Sequence, residues 1–134
     1  MANPNIAALS TIYGNTAYVI PSTTSATTSW TYNGTTSLTG LTPAAGTVNK
    51  ITSLVVSNTT GTAANATIGV GNNATFGSAT VISYPAYQIS VPANASLIVI
   101  DKTTNLYITE NQSVGVTSGT ASALTYTATF EAIT

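Results

Sequence analysis

Toward the C-terminal end of the sequence, Leu124, Tyr126, Ala128 and Phe130 alternate with Thr125, Thr127, Thr129 and Glu131. Successive side chains of an extended strand point to opposite faces, so this period of two gathers the apolar groups on one face and the polar groups on the other. Such a strand belongs in an antiparallel sheet with one face in a core and one turned outward. The same alternation recurs in Ala66, Ile68 and Val70 against Thr67 and Gly69, and in Tyr87, Ile89 and Val91 against Gln88 and Ser90. Direct counting gives 28 Thr, 14 Ser and 12 Asn. Thr is β-branched and stiff at its first torsion, so a Thr-rich polar face also favours sheet.

Turn-forming residues divide the chain into short pieces, among them Pro21, Asn33-Gly34, Gly40, Gly71-Asn72-Asn73, Pro85, Pro92, Asp101 to Thr104 and Ser118-Gly119. The spacing predicts strands over 16–20, 26–33, 48–57, 64–71, 79–84, 86–91, 95–100, 105–109, 112–117 and 122–132, some of them parts of one bent strand. No long run has a capped 3.6-residue period, so helix should be scarce, with at most one turn at Pro43 to Gly46. The expected fold is all-β: an antiparallel β-sandwich, jelly-roll or immunoglobulin-like, over 16–134, with an extended N-terminal arm over 1–15. Segment 22–47, dense in Thr and Ser, reads as a strand from Ala26 to Asn33 that runs into a long surface loop. Three runs are apolar on both faces: Leu54-Val55-Val56, Val81-Ile82 and Leu97 to Ile100. They read as central strands whose second face lies under a loop, or alternatively against a neighbouring subunit.

At 134 residues and 43% hydrophobic, the chain is long enough to bury roughly two-thirds of its unfolded surface in one domain. Charged residues make up 4%, namely Lys50, Asp101, Lys102, Glu110 and Glu131, and there is no His, Arg or Cys. That excludes Ser-His-Asp and Cys-His catalysis, thiol redox chemistry and the usual zinc sites. Two Lys and no Arg cannot neutralise a phosphate backbone, so no nucleic-acid partner is expected. A surface near electrical neutrality has little repulsion to oppose association. The expectation is a protein that works inside an assembly.

The residues that could carry chemistry are few. Paired-carboxylate hydrolysis would have to use Asp101, Glu110 or Glu131, and a Ser–Lys pair would need Lys50 or Lys102 buried beside a Ser; neither is expected. Calcium would have one carboxylate in each of two turns, too few for a site, so no metal or cofactor is expected. Six Asn-x-Ser/Thr matches begin at Asn33, Asn58, Asn65, Asn73, Asn94 and Asn111; about four would arise by chance from such a composition, and they are not expected to be glycosylated. Gly69-Val70-Gly71 lacks the rest of a dinucleotide fingerprint and reads as a strand end. Trp30, Tyr32, Tyr84 and Tyr87 are candidates for a sugar-stacking platform, or for core and subunit-interface anchors. Ile6 to Leu9 is too short for a signal-peptide core, and no stretch nears the roughly 20 apolar residues of a membrane span, so no membrane association is expected.

Several segments together resemble a family of small virion structural proteins of tailed bacteriophages, particularly those of marine and cyanobacterial hosts. They are Met1 to Ile6 with Ile12 to Ala17, Lys50 to Asn58, Val91 to Lys102, Leu106 to Ser113 and Phe130 to Thr134, in that order from end to end. The resemblance implies a β-sandwich, symmetric assembly on the particle and no catalysis. The chain departs from the family in Asn111-Gln112, where Gly-Asp is usual, and in Ala132, where a second Glu is usual. Charge-based contacts are therefore not carried over. The expected function is a capsid decoration or cement protein located in the virion. As a homotrimer it would bind the major capsid protein, or other virion proteins, across capsomers. The interface expected for it is the arm and one sheet face, with Pro4, Ile6, Leu9, Ile12, Tyr13, Trp30 and Tyr32. The alternative is a tail or fibre module binding host glycans through Trp30 and Tyr32. A surface filament subunit completed by donated strands is a third reading, which needs an export route.

Overall fold

The computed structural model describes residue 8, residues 10–32, residue 34 and residues 36–134. Within them run β1 (Ile12–Val19), β2 (Ser29–Tyr32), β3 (Thr36–Thr39), β4 (Val48–Asn58) and β5 (Ala64–Gly71). After a short 3-10 turn (Phe76–Ser78) come β6 (Val81–Val91), β7 (Ser96–Ile100), β8 (Leu106–Ile108), β9 (Ser113–Ser118) and β10 (Leu124–Ile133). The larger sheet has the order β3-β2-β1-β10-β4-β7, with β8 also on β4, and the smaller sheet has the order β6-β5-β9. Every pairing is antiparallel. The chain is an all-β antiparallel sandwich, as its alternation predicts.

The core forms where the two inner faces meet. β10 contributes Leu124, Tyr126, Ala128 and Phe130, all buried, while its threonines are half-buried or exposed on the other side. β5 contributes Ala64, Ala66, Ile68 and Val70, and β9 contributes Val114 and Val116. On β4 the buried positions Ile51, Leu54 and Val56 break the period of two. The register against β10 shifts between Thr129 and Phe130, and this bulge turns both Ile51 and Leu54 inward. A second shift, opposite Leu54 and Val55, puts Leu97 and Ile100 on the inner side of β7 and leaves Ile98 outside at 67% exposure.

Two neutral hydrogen bonds cross the core between the sheets. The Trp30 indole N–H donates to the Val114 carbonyl at 3.3 Å, and the Tyr126 hydroxyl donates to the Thr117 carbonyl at 2.6 Å. Beside Trp30 the edge of β9 is closed by the chain flanking the β2–β3 hairpin. Thr27 and Val116 exchange both backbone bonds, and the Val114 N–H donates to the Gly40 carbonyl. Gly40 takes φ +62°, and a Cβ there would lie 2.6 Å from the Ser113 Cβ, so only glycine fits that approach. At the opposite seam, β6 and β7, the edge strands of the two sheets, run beside each other.

Three expectations change. Strand β1 begins at Ile12, so residues 12–15, read as arm, are paired with β10. Segment 22–47 holds a hairpin, β2 with β3, instead of one strand and a loop. The second strand has one apolar residue, Leu38, which stands opposite Trp30 and packs on the core. Val81-Ile82 and Leu97 to Ile100 lie in edge strands, and Ile82 and Ile98 are exposed with no loop over them. Strands 79–84 and 86–91 are one bent strand, β6.

Asn58, only 3% exposed, uses its whole amide. Its Nδ2 donates to the carbonyls of Thr62 and Val91, and its Oδ1 accepts from the Thr60 N–H and hydroxyl. Asn58→Ala strips a partner from the buried Val91 carbonyl and from partly buried groups of Thr60 and Thr62, and is expected to cost about 2–4 kcal/mol in chemical denaturation. Tyr126 gives a pH dependence. Burial pushes its hydroxyl well above the ordinary 10.0, and a Thr67 backbone bond opposes this only in part. The folded chain keeps the phenol neutral while the unfolded chain releases the proton, so this stability is whole below about pH 10 and lost above it. Tyr126→Phe should lower stability by about 1 kcal/mol at neutral pH and flatten the alkaline limb of a stability-versus-pH series.

Candidate functional site

The outer face of the smaller sheet is bare where glycines stand opposite one another. The β5–β9 register pairs Thr67 with Thr117, Gly69 with Gly115, and Gly71 with Ser113. A Cβ built on Gly115 would have its three nearest neighbours in the Phe76 ring, at 2.6–2.7 Å, and one on Gly71 would lie 3.2 Å from the same ring. Phe76, carried by the 3-10 turn, therefore lies directly on a floor of backbone. The turn is shaped by Asn72 and Asn73, whose Oδ1 atoms accept from the Thr80 and Thr75 N–H groups.

Strand β6 supplies the opposite wall. Its register against β5 shifts at three points, and with these bulges Tyr84 and Tyr87, three residues apart, both reach the outer side. Gln88 takes a left-handed φ of 49° and its N–H donates to the Thr67 Oγ1 at 3.0 Å, which anchors the bend to the floor. The two tyrosine rings meet edge to face with centroids 4.9 Å apart, and they remain 50% and 57% exposed. Together with Phe76, Thr67 and Thr117 they line a groove of about 350 Å³.

No charged side chain lines this groove. Lys50 and Glu131 are paired at 3.6 Å across β4 and β10 of the other sheet. Asp101, in the β7–β8 turn, accepts from the Thr103 N–H and hydroxyl. The Thr103 hydroxyl is the main reason its carboxyl lies below the usual carboxylate range. Glu110, between β8 and β9, accepts from the Gly46 N–H. Among the described residues no three acidic groups cluster as a metal site would need, and no helix is long and apolar enough to cross a membrane.

The residues singled out for an interface separate into three groups. Pro4, Ile6 and Leu9 lie outside the described residues. Ile12 and Tyr13 are exposed at the start of β1, and Tyr13 shares a second groove, of about 320 Å³, with half-buried Tyr32 and Leu38 and buried Pro43. Trp30 is corrected: at 0% exposure, with its indole N–H on Val114, it holds the core and cannot stack on a ligand. Tyr32 packs on that core as well. The proposed aromatic platform of four therefore divides, and only Tyr84 and Tyr87 form an exposed pair.

Sequence reading missed Phe76 and the glycine floor. Gly69 and Gly71 are two residues apart on a strand, which leaves a bald stripe on one face, and that spacing was the available signal.

Comparison with protein-family models, with curated proteins and with solved structures found no match for this chain.

Gly115→Ala drives a methyl group into the Phe76 ring and is expected to lower stability by about 1–3 kcal/mol. In the Gly115→Ala/Phe76→Ala double variant the methyl group has room. Chemical denaturation of the two single variants and the double should then give a favourable coupling of about 1 kcal/mol or more.

Proposed function

We propose that the chain is a structural protein of a tailed-phage virion, a decoration or cement protein that binds the outside of the capsid shell as a homotrimer and spans capsomer boundaries. The observation that carries this reading is an almost uncharged, hydroxyl-coated sandwich that leaves Ile82, Ile89 and Ile98 exposed on the edge strands β6 and β7. Large aliphatic groups on edge strands are a liability for a lone chain and an asset for one that is covered by neighbours. The resemblance of its ordered segments to virion proteins points the same way.

The mechanism is passive. Each bound subunit buries apolar and hydroxyl surface on two capsomers at once, so separating them requires losing that contact, and occupancy stabilises the shell by mass action. The ion pair between β4 and β10 of the larger sheet, Lys50 with Glu131, is internal to the chain. Attachment should therefore depend little on ionic strength.

Raising salt from roughly 0.05 to 1 M should change the amount bound to purified particles by less than about twofold, where attachment through several ion pairs would fall by orders of magnitude. Quantitative mass spectrometry of the virion should find the chain in fixed ratio to the major capsid protein. A handful of copies per particle would assign it to the tail instead.

A further inference from the structure

We propose that the groove on the outer face of the smaller sheet binds a neutral carbohydrate ring, held by stacking on Tyr84 and Tyr87. The site is independent of where on a virion the chain sits. Three features of the groove point to this ligand chemistry.

The first is a pair of half-exposed aromatic rings, packed edge to face. Tyr84 and Tyr87 flank Pro85, whose φ is fixed by its ring, and the left-handed backbone of Gln88 is tied to Thr67. The rings are thus placed by the backbone, and little ordering remains to be done on binding. One face of a pyranose is a patch of C–H groups with slight positive charge, which packs well on the negative face of a tyrosine ring.

The second is the polar rim. Thr67 Oγ1 already accepts the Gln88 N–H, which leaves its O–H to donate, and the Thr117 hydroxyl stands beside it on the paired strand. The Gln88 side chain adds an amide donor and acceptor at the same groove. Hydroxyl and amide groups beside an aromatic wall match a ring that has an apolar face and a hydroxylated edge.

The third is charge and size. Lys50, Asp101, Lys102, Glu110 and Glu131 are the only charged residues, and none lines the groove, so an anionic sugar, a phosphate or an acidic peptide would gain nothing there. A volume of about 350 Å³ is at the small end of ligand pockets, roughly 300–1,000 Å³, and suits one or two sugar rings better than a length of polypeptide.

The test is a titration of the full chain with methyl glycosides of glucose, galactose, mannose and N-acetylglucosamine, followed by amide chemical shifts, with sialyllactose as the charged comparison. At least one neutral glycoside should shift the Thr67, Gln88 and Thr117 amides saturably, with a dissociation constant in roughly the millimolar range. Both Tyr84→Ala and Tyr87→Ala alter exposed side chains and should keep a folded spectrum while weakening binding by about tenfold or more, equivalent to at least ~1.4 kcal/mol. Tyr107→Ala, at an exposed tyrosine of the other sheet, should bind as the parent does. The proposal is overturned if no neutral glycoside shifts these amides, or if binding survives both tyrosine substitutions. It is equally overturned if the groove amides move with protein concentration and sedimentation shows self-association that Tyr84→Ala abolishes. In that case a second copy of the chain occupies the groove.

Discussion

The indole of Trp30 fastens one sheet to the other. It projects from β2 of the larger sheet, and its N–H reaches the Val114 carbonyl on β9 of the smaller one. On either side of it, Thr27 and Gly40 complete the backbone pairing that β9 lacks on its outer edge. A buried indole without a partner would cost about 1–3 kcal/mol, so the approach of the two sheets and the position of the β2–β3 hairpin are set together. The consequence is an asymmetric sandwich. One seam is sealed by Trp30 and its flanking chain, and the other, between β6 and β7, carries bulges and exposed aliphatic side chains. The bulges in the pairing of β6 with β5 are also what bring Tyr84 and Tyr87 to one side, so the groove depends on this irregular edge strand as the core depends on Trp30.

Polar contacts in this chain are almost all neutral. The single ion pair between described strands, Lys50 with Glu131, is half exposed and contributes at most about 1 kcal/mol. Asn58 and Asn49 do the work inside that charged groups do in other proteins. Asn58 closes the turn after β4 with four bonds, and the Asn49 Nδ2 donates to the buried Leu41 carbonyl at 2.8 Å. Among the described residues no buried side-chain nitrogen or oxygen lacks a partner. An interior arranged this way has no carboxylate or imidazole to titrate near neutral pH. Its one strongly shifted buried group, Tyr126, responds only in alkali.

Much of the fold was legible because a sheet with one wet face repeats every two residues. β10 and β5 could be read directly from Leu124 to Phe130 and from Ala66 to Val70. β4 was located correctly, but its pattern of inward residues was not, because a bulge changes which residues face inward without leaving a mark in composition. β3 escaped because a short edge strand needs only one apolar residue, and Leu38 sits among threonines and serines that read equally well as loop. Trp30 stayed open between platform and core for a general reason: a large aromatic in a polar segment looks alike in sequence whether it is a surface platform or a core plug. Only the partner Val114, distant along the chain, decides between them. The groove was half legible, in Tyr84 and Tyr87. Its floor was not, since Gly69 and Gly115 become a site only when the register sets them side by side.

The coat of hydroxyls has a property that charged coats lack. In the pairs Ser29 with Ser37 and Ser57 with Ser96, either oxygen can be the donor. Each such pair can reverse its polarity by rotating two protons, with no heavy atom moving. A face built from these groups carries no fixed pattern of donors and acceptors, so it can meet another face in more than one alignment and still satisfy both. Whatever covers it must therefore take its register from shape, from features such as protruding Ile98 and Tyr18, because the hydrogen bonds will adapt to any alignment those features choose.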